Sequence, residues 1–184
     1  MAEWVKDFLS PAEIVFMPAG DPWLKKGINI SRADDRLAMV ELAVAPCSGF
    51  SVSTIEIERS GPTYTVDTMR ELRAGLPSES ELYFIMGWDN LLDLPRWHKP
   101  QELLQLCRLV AVPRIGSRIP DKMLLESLLP GLSERVILLS QPELDISASV
   151  IRERVGLGLG IRNMVPDTVE RYIRQNGLYR RVSN

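Results

Sequence analysis

The sequence predicts an α/β fold: a parallel β-sheet covered on both faces by helices. Three observations carry that expectation. Short, wholly apolar runs of strand length recur along the chain with helix-spaced segments between them. Prolines near helix starts and a glycine past the last helix mark boundaries of the expected kind. Segments bearing glycine, proline or charge follow several apolar runs directly, which is where open α/β sheets bind ligands.

Taken in order, residues 2–9 start at once as a helix, with Trp4, Val5, Phe8 and Leu9 at helical spacing, and Ser10-Pro11 ends it. Residues 13–17 form a short apolar strand closed by Pro18-Ala19-Gly20. A loop rich in Pro, Gly and Lys follows, and Ser31 is placed to cap a helix over residues 33–45 whose core side is Leu37, Val40, Leu42 and Val44. Residues 50–58 alternate as Phe50, Val52, Ile55 and Ile57 and predict a strand with an irregular face. Gly61-Pro62-Thr63-Tyr64 is a turn, and residues 65–76 a helix with Asp67 well placed near its positive end. Residues 82–86 are an apolar strand broken by Gly87. Residues 100–106 are a helix with Pro100 in its first turn, 109–112 a strand ended by Pro113, 121–129 a helix and 136–139 a strand. A Ser-capped helix begins at Ala148. A closing helix over residues 166–176 turns Val169, Tyr172 and Ile173 inward and ends at Gly177.

The polar segments that follow strands are Pro18-Ala19-Gly20 with Lys25, Gly87-Trp88-Asp89, Pro113-Arg114 and residues 145–152. In a parallel sheet these all belong to one edge, and their convergence is a stronger signal than any one of them. The last, Asp145-Ile146-Ser147-Ala148-Ser149-Val150-Ile151-Arg152, runs from a strand end through small hydroxyl residues into a helix. Helix N-termini present unpaired N–H groups with partial positive charge; Ser147 and Ser149 can donate to phosphate oxygens, and Arg152 adds a planar cation. An ordinary Ser-capped helix with a surface arginine is the other reading of the octapeptide.

With 184 residues, 45% hydrophobic and 25% charged, the chain has the composition of a globular protein that builds its core without disulfides or metals. A net charge of −2 gives no reason to expect nucleic-acid binding, and no basic block suggests a membrane-surface helix. An anionic ligand must therefore be held locally. Cys47 and Cys107 read as buried, reduced thiols, and a single histidine, His98, leaves no zinc spacing. No apolar run spans a bilayer, and the first residues lack the pattern of a signal peptide, so a cytoplasmic protein of one domain over residues 1–184 is expected.

Together these segments resemble bacterial nicotinate-nucleotide adenylyltransferases. The resemblance rests on Pro18-Ala19-Gly20-Asp21-Pro22 with Lys25, Gly61-Pro62-Thr63-Tyr64-Thr65-Val66-Asp67-Thr68, and Phe84-Ile85-Met86-Gly87-Trp88-Asp89. It continues through Leu92-Asp93-Leu94-Pro95-Arg96-Trp97, Val112-Pro113-Arg114, residues 146–152, Val165-Pro166, Tyr172-Ile173 and Gly177-Leu178-Tyr179, in family order over nearly the whole chain. It implies a Rossmann-like, doubly wound sheet of the nucleotidyltransferase type. The implied activity joins nicotinate mononucleotide to ATP, giving nicotinate adenine dinucleotide and pyrophosphate in NAD biosynthesis, with Mg2+ carried on the ATP. Such a transfer needs positioning and charge stabilisation but no protein nucleophile, consistent with the absence of a Ser-His-Asp or Cys-His constellation.

By the same resemblance Trp97 stacks on the nicotinate ring, and Tyr64 and Thr65 hold its carboxylate through backbone N–H groups. Asp89 contacts ligand, with Gly87 beside it on the ATP side. Lys25 and Arg114 supply cations near the phosphates. Ile146, Ser147, Ser149 and Arg152 hold ATP, with Arg152 the catalytic cation. Plainer roles exist for each: a core tryptophan beside Leu94 and Pro95, a Gly-Pro turn that caps the next helix, an N-cap aspartate, solvated surface cations. Ala148 stands where the motif often has serine. Trp23 and Trp88 read as pocket-wall or surface residues, and His98 as a positional neighbour of Trp97. Implied partners are ATP and nicotinate mononucleotide, with neither nucleic acid nor membrane, and homo-oligomer formation is left open.

One departure stands out. Family members open with a strand, a glycine turn and a histidine–x–glycine–histidine word, and nothing here matches them. The expectation is therefore a shortened form that begins roughly 20 residues late, lacks the first central strand, and is weak or inactive. A non-catalytic nucleotide-binding module and a sister adenylyltransferase acting on phosphopantetheine are the competing functions. Tyr64-Thr65 and Trp97 favour a flat aromatic carboxylate over the latter.

Overall fold

Four consecutive residues, Leu109, Val110, Ala111 and Val112, are all fully buried. A strand whose alternating side chains are hidden on both faces must lie inside a sheet with layers above and below it. The computed structural model describes residues 1–22, 30–113, 120–141 and 146–180. In chain order its elements are α1 (Ala2–Leu9), β1 (Ile14–Phe16), β2 (Asp21–Pro22), α2 (Ala33–Val44), β3 (Phe50–Val52), α3 (Ile55–Glu58), β4 (Pro62–Thr63), α4 (Thr65–Gly75) and β5 (Tyr83–Gly87). They continue as α5 (Trp88–Asp93), a 3-10 turn (Leu94–Arg96), α6 (Pro100–Leu106), β6 (Arg108–Val112), α7 (Lys122–Leu128), α8 (Leu132–Arg135), β7 (Val136–Leu138), α9 (Ala148–Gly156) and α10 (Asp167–Gln175). Packing divides the chain into two compact units, Met1–Leu9 with Thr63–Asp145 and Ser10–Pro62 with Ile146–Asn184.

The first unit is built on the parallel sheet β5-β6-β7, with Phe84 beside Leu109 and Val110 beside Ile137. The period of two sorts its residues cleanly. Phe84, Met86, Leu109, Ala111, Val136 and Leu138 join Val66, Met69, Leu91, Leu94, Leu103 and Leu125 in one core. Tyr83, Ile85, Val110, Val112 and Ile137 join Trp4, Val5 and Leu9 of α1 in a second core on the other face. Helix α7 is capped by Asp121, whose Oδ1 accepts the N–H of Leu124 at 2.8 Å. Glu126 then accepts the N–H groups of Gly131 and Ser133 at 2.9 and 3.0 Å, which satisfies the start of the short α8. Burial pushes the Cys107 thiol up to about 12.

The second unit pairs β1 with β3 in parallel, Ile14 opposite Phe50. Its core gathers Ile161, Val169 and Ile173 with Met39, Leu42, Ile151 and Val155. Two polar contacts lock α10 onto α2: the Tyr172 hydroxyl donates to Asp35 at 3.0 Å and the Thr168 hydroxyl to the Leu42 carbonyl at 3.2 Å.

Several expectations need correction. The alternation over residues 50–58 is a strand only to Val52. Ser53 and Thr54 turn the chain, the Thr54 carbonyl accepts the N–H groups of Ile57 and Glu58, and its hydroxyl donates to Glu58, so residues 55–58 wind as a helix. Ser31 does not cap α2; that end has no side-chain cap, and the Ser31 hydroxyl pairs with the Tyr179 hydroxyl at 2.9 Å. Of the core side expected there, only Val44 is buried. Trp88 is neither wall nor surface: it is 3% exposed, and its indole N–H donates to the Ala111 carbonyl at 3.1 Å. Cys107 is buried as expected, Cys47 only half-buried, and neither forms a disulfide among the described residues. Helices α5 and α8 and the 3-10 turn had no clear periodic signal, being too short to show one.

Trp88→Phe, which keeps the ring but deletes that hydrogen bond, should lower unfolding stability by about 1 kcal/mol. Trp88→Ala should cost about 3–5 kcal/mol by leaving a cavity. Urea unfolding measures both, and a Trp88→Phe variant as stable as the wild type would mean that the hydrogen bond contributes nothing.

Candidate functional site

In the first unit the site residues gather around the ends of α4, β5 and the 3-10 turn. Strand β5 ends at buried Gly87, an extended residue (φ −79°, ψ 157°) that forms the N-cap of α5. Asp89 therefore lies inside the first turn of α5 rather than capping it, exposed and favourably near the positive end of the helix dipole. Helix α4 begins at Thr65, with Tyr64 as N-cap in extended conformation and no side chain bonding back to the terminus. The Tyr64 carbonyl accepts the N–H groups of Asp67 at 3.0 Å and Thr68 at 3.3 Å, and the N–H groups of Thr65 and Val66 head the helix, where its dipole favours an anion.

Facing this helix start is an aromatic cluster. The His98 ring lies against the Tyr64 ring, with centroids 4.3 Å apart and planes at 31°. Trp97 meets Phe84 edge to face at 5.8 Å and 76°. Trp97 is only partly buried, yet its indole N–H is buried and has no hydrogen-bond partner. An orphaned donor of this kind is uncommon in folded proteins and typically costs about 1–3 kcal/mol. Trp97 packs on the core that contains Leu94 and stays partly exposed.

The segment is held on both sides. The Trp97 N–H closes the 3-10 turn on the Leu94 carbonyl at 3.0 Å. Lys99 follows in the left-handed region (φ 48°, ψ 57°) and leads into α6. Arg70 on α4 donates through Nη1 to Asp67 at 2.6 Å and through Nε to Glu102 of α6 at 3.0 Å, with a second bond from Nη2 to Glu102. Those hydrogen bonds hold the Glu102 carboxyl below its usual range. Sequence reasoning missed Arg70, His98 as a stacking partner, and Phe84. The Asp67–Arg70 spacing was visible, but the link to Glu102, 32 residues away, was not.

In the second unit, Ser147 is the N-cap of α9. Its hydroxyl oxygen accepts the Val150 N–H at 3.2 Å and lies 3.0 Å from the Ser149 hydroxyl. Ile146 is 46% exposed, and Arg152 is half-buried with no hydrogen bond or ion pair among the described residues. The Pro18-Ala19-Gly20 turn is organised by a residue that the sequence did not single out. Arg36 of α2 donates to the carbonyls of Ala19, of Gly20 at 3.0 Å and of Ser31 at 3.1 Å. Lys25, Arg114, Trp23 and Asp145 lie outside the described residues. Among the described residues no group of three or more His, Cys, Asp or Glu side chains is arranged to hold a metal ion, and no helix is long and apolar enough to cross a membrane.

The cytidylyltransferase-like family model matches residues 1–154. A protein of Dehalococcoides mccartyi named "Probable nicotinate-nucleotide adenylyltransferase" is 52% identical over 98% of this chain and 89% of its own length. A Roseiflexus protein of the same name is 44% identical over the same shares. Among solved structures, Plasmodium falciparum nicotinic acid mononucleotide adenylyltransferase complexed with NaAD superposes with a TM-score of 0.76 at 20% identity, covering 97% of this chain and 89% of that one. The α/β fold of the nucleotidyltransferases is thereby shown. The expectations of a shortened form, of a missing central strand and of weak activity are not borne out by these comparisons.

The cap on α9 has a measurable worth. Ser147→Ala should destabilise the first turn of α9 by about 1 kcal/mol, speeding hydrogen exchange at the Val150 amide roughly fivefold. Unchanged exchange there would show that the Ser147 oxygen does not hold that turn.

Proposed function

The chain belongs to the cytidylyltransferase-like family and within it to the nicotinate-nucleotide adenylyltransferases, and from that premise we propose the reaction it carries out and the residues that serve it. The reaction is adenylyl transfer from ATP to nicotinate mononucleotide. A phosphate oxygen of the mononucleotide attacks the α-phosphorus of ATP, the bond from that phosphorus to the bridging oxygen breaks, and pyrophosphate leaves with the bond's electron pair. Nicotinate adenine dinucleotide is the product. Both substrates are nucleotides of central metabolism, and the cytoplasm is the natural place for it.

One observation supports this substrate above others: an uncapped helix start at Tyr64-Thr65 beside an aromatic cluster that keeps Trp97 partly open. A nicotinate is a flat, electron-poor ring bearing a carboxylate. The ring suits the face of Trp97, and the carboxylate suits the leading N–H groups of α4. Nicotinamide would bring no negative charge to that terminus, and phosphopantetheine would bring no flat ring to the tryptophan. Asp89, exposed at the end of β5, accepts hydrogen bonds from sugar or amide groups, and Gly87 lets the ligand approach the backbone.

On the ATP side the start of α9 supplies N–H groups and the hydroxyls of Ser147 and Ser149, flanked by Ile146. Arg152 is a cation that no described residue neutralises, suited to the charge that grows on the leaving phosphates. Lys25 and Arg114 are proposed as further cations toward the phosphates. N–H groups, hydroxyls and cations bind phosphate oxygens, and the Mg2+ of the reaction would arrive carried on the triphosphate. That ion supplies charge neutralisation to the phosphates when bound.

Pyrophosphate release from ATP with nicotinate mononucleotide, against nicotinamide mononucleotide and phosphopantetheine, tests the assignment; preference for either competitor would overturn it. Trp97→Ala should raise KM for nicotinate mononucleotide roughly ten- to a hundredfold, since stacking on an aromatic ring is worth about 1–3 kcal/mol, with KM for ATP little changed. Arg152→Ala should lower kcat about a hundredfold. A Trp97→Ala enzyme with unaltered KM values would remove the tryptophan from the site.

A further inference from the structure

Helices α4 and α6 share the hydrophobic core through Met69, Leu103 and Leu104, and at the far end of α4 Arg73 donates to the Ser80 carbonyl at 2.6 Å and the Leu106 carbonyl at 3.4 Å. The two helices are therefore held together without Arg70. What Arg70 adds is a tie at their near ends. Asp67 lies in the first turn of α4, two residues after Thr65, and Glu102 lies in the first turn of α6, three residues after Lys99 and four after His98. One guanidinium reaches both carboxylates, and Lys99 places its ammonium 3.7 Å from the other oxygen of Glu102.

Single ion pairs this exposed contribute little to stability, because water screens them. Their geometric effect is another matter, since a planar fork bonded to two fixed carboxylates permits few arrangements. The backbone between the aromatic residues and α6 is also under load. Lys99 adopts a left-handed conformation that disfavours any residue with a Cβ, and it does so directly after His98.

We propose that Arg70 is a positioning residue for the mononucleotide: by bridging Asp67 and Glu102 it fixes the gap between the start of α4 and the Trp97–His98 segment. This rests on the function proposed above, because those two walls are the ones assigned to the carboxylate and the ring of nicotinate. The residue touches no substrate in this scheme. It sets the width of the slot, and so acts on capture of the mononucleotide rather than on the chemical step.

His98 is the chain's only histidine, so in untagged protein its ring protons give uniquely assignable NMR signals, displaced by the Tyr64 ring current while the stack holds. Tyr64→Leu calibrates that displacement. Arg70→Met and Glu102→Gln should each abolish most of it and raise KM for nicotinate mononucleotide about five- to tenfold, with kcat and KM for ATP within about twofold. The double variant should be no worse than either single one, and Arg70→Lys should restore part of both readouts. A thermal melt confirms that each variant is folded; should Arg70→Met unfold, Glu102→Gln decides. His98 signals unmoved in a folded variant, or KM values that rise equally for both substrates, would overturn the proposal. A wild-type chain that ignores nicotinate mononucleotide would instead defeat the substrate assignment, while the His98 signals still decide the clamp.

Discussion

Burial of β6 on both faces is the constraint from which the first unit follows. Leu109 and Ala111 feed one core and Val110 and Val112 the other, so no polar side chain fits between Arg108 and the strand end. A strand of that kind needs a hydrogen-bonded neighbour on each side and a helical layer on each face, which β5, β7, α1 and the helices of the larger core supply. Polar chemistry is thereby pushed to the strand ends. The bond from the Trp88 indole to the Ala111 carbonyl ties the start of α5 to the end of β6, and so fixes where Gly87 and Asp89 emerge.

The family's reaction explains the character of the site residues. Phosphorus is attacked by an oxygen that the substrate brings, so the protein needs surfaces that place two nucleotides and draw off negative charge. The residues proposed for it are of that character: helix starts, small hydroxyls, one arginine and a stack of rings. None of these is a reactive group by itself. The buried thiol of Cys107, held protonated by its apolar surroundings, belongs to the core and not to this chemistry.

How much of this was legible in the sequence depended on the range of the interaction. Local patterns were read well: α1 and α6 fall on the expected residues, Ser147 caps α9 as its position suggested, and Val169 and Ile173 face inward. Patterns that a nearby turn could override were misread, as at residues 50–58, where Ser53 and Thr54 break a strand-like alternation. Contacts between distant residues were invisible. Nothing in the local sequence says that Trp88 reaches Ala111, that Arg36 gathers the Ala19 and Gly20 carbonyls, or that Arg70 meets Glu102. Candidate site residues could be named from motifs, and the residues that hold them in place could not, because a supporting side chain is defined by what it touches.

The left-handed backbone at Lys99 has a consequence for anyone who would make this protein more robust. A glycine there would relieve the backbone strain at once, and a search for thermostable variants would favour it. Yet the same change would slacken the hinge next to His98 and delete the ammonium beside Glu102. Hardiness gained at this position would come out of substrate capture, which makes residue 99 a poor target for stabilisation and a sensitive one for tuning affinity.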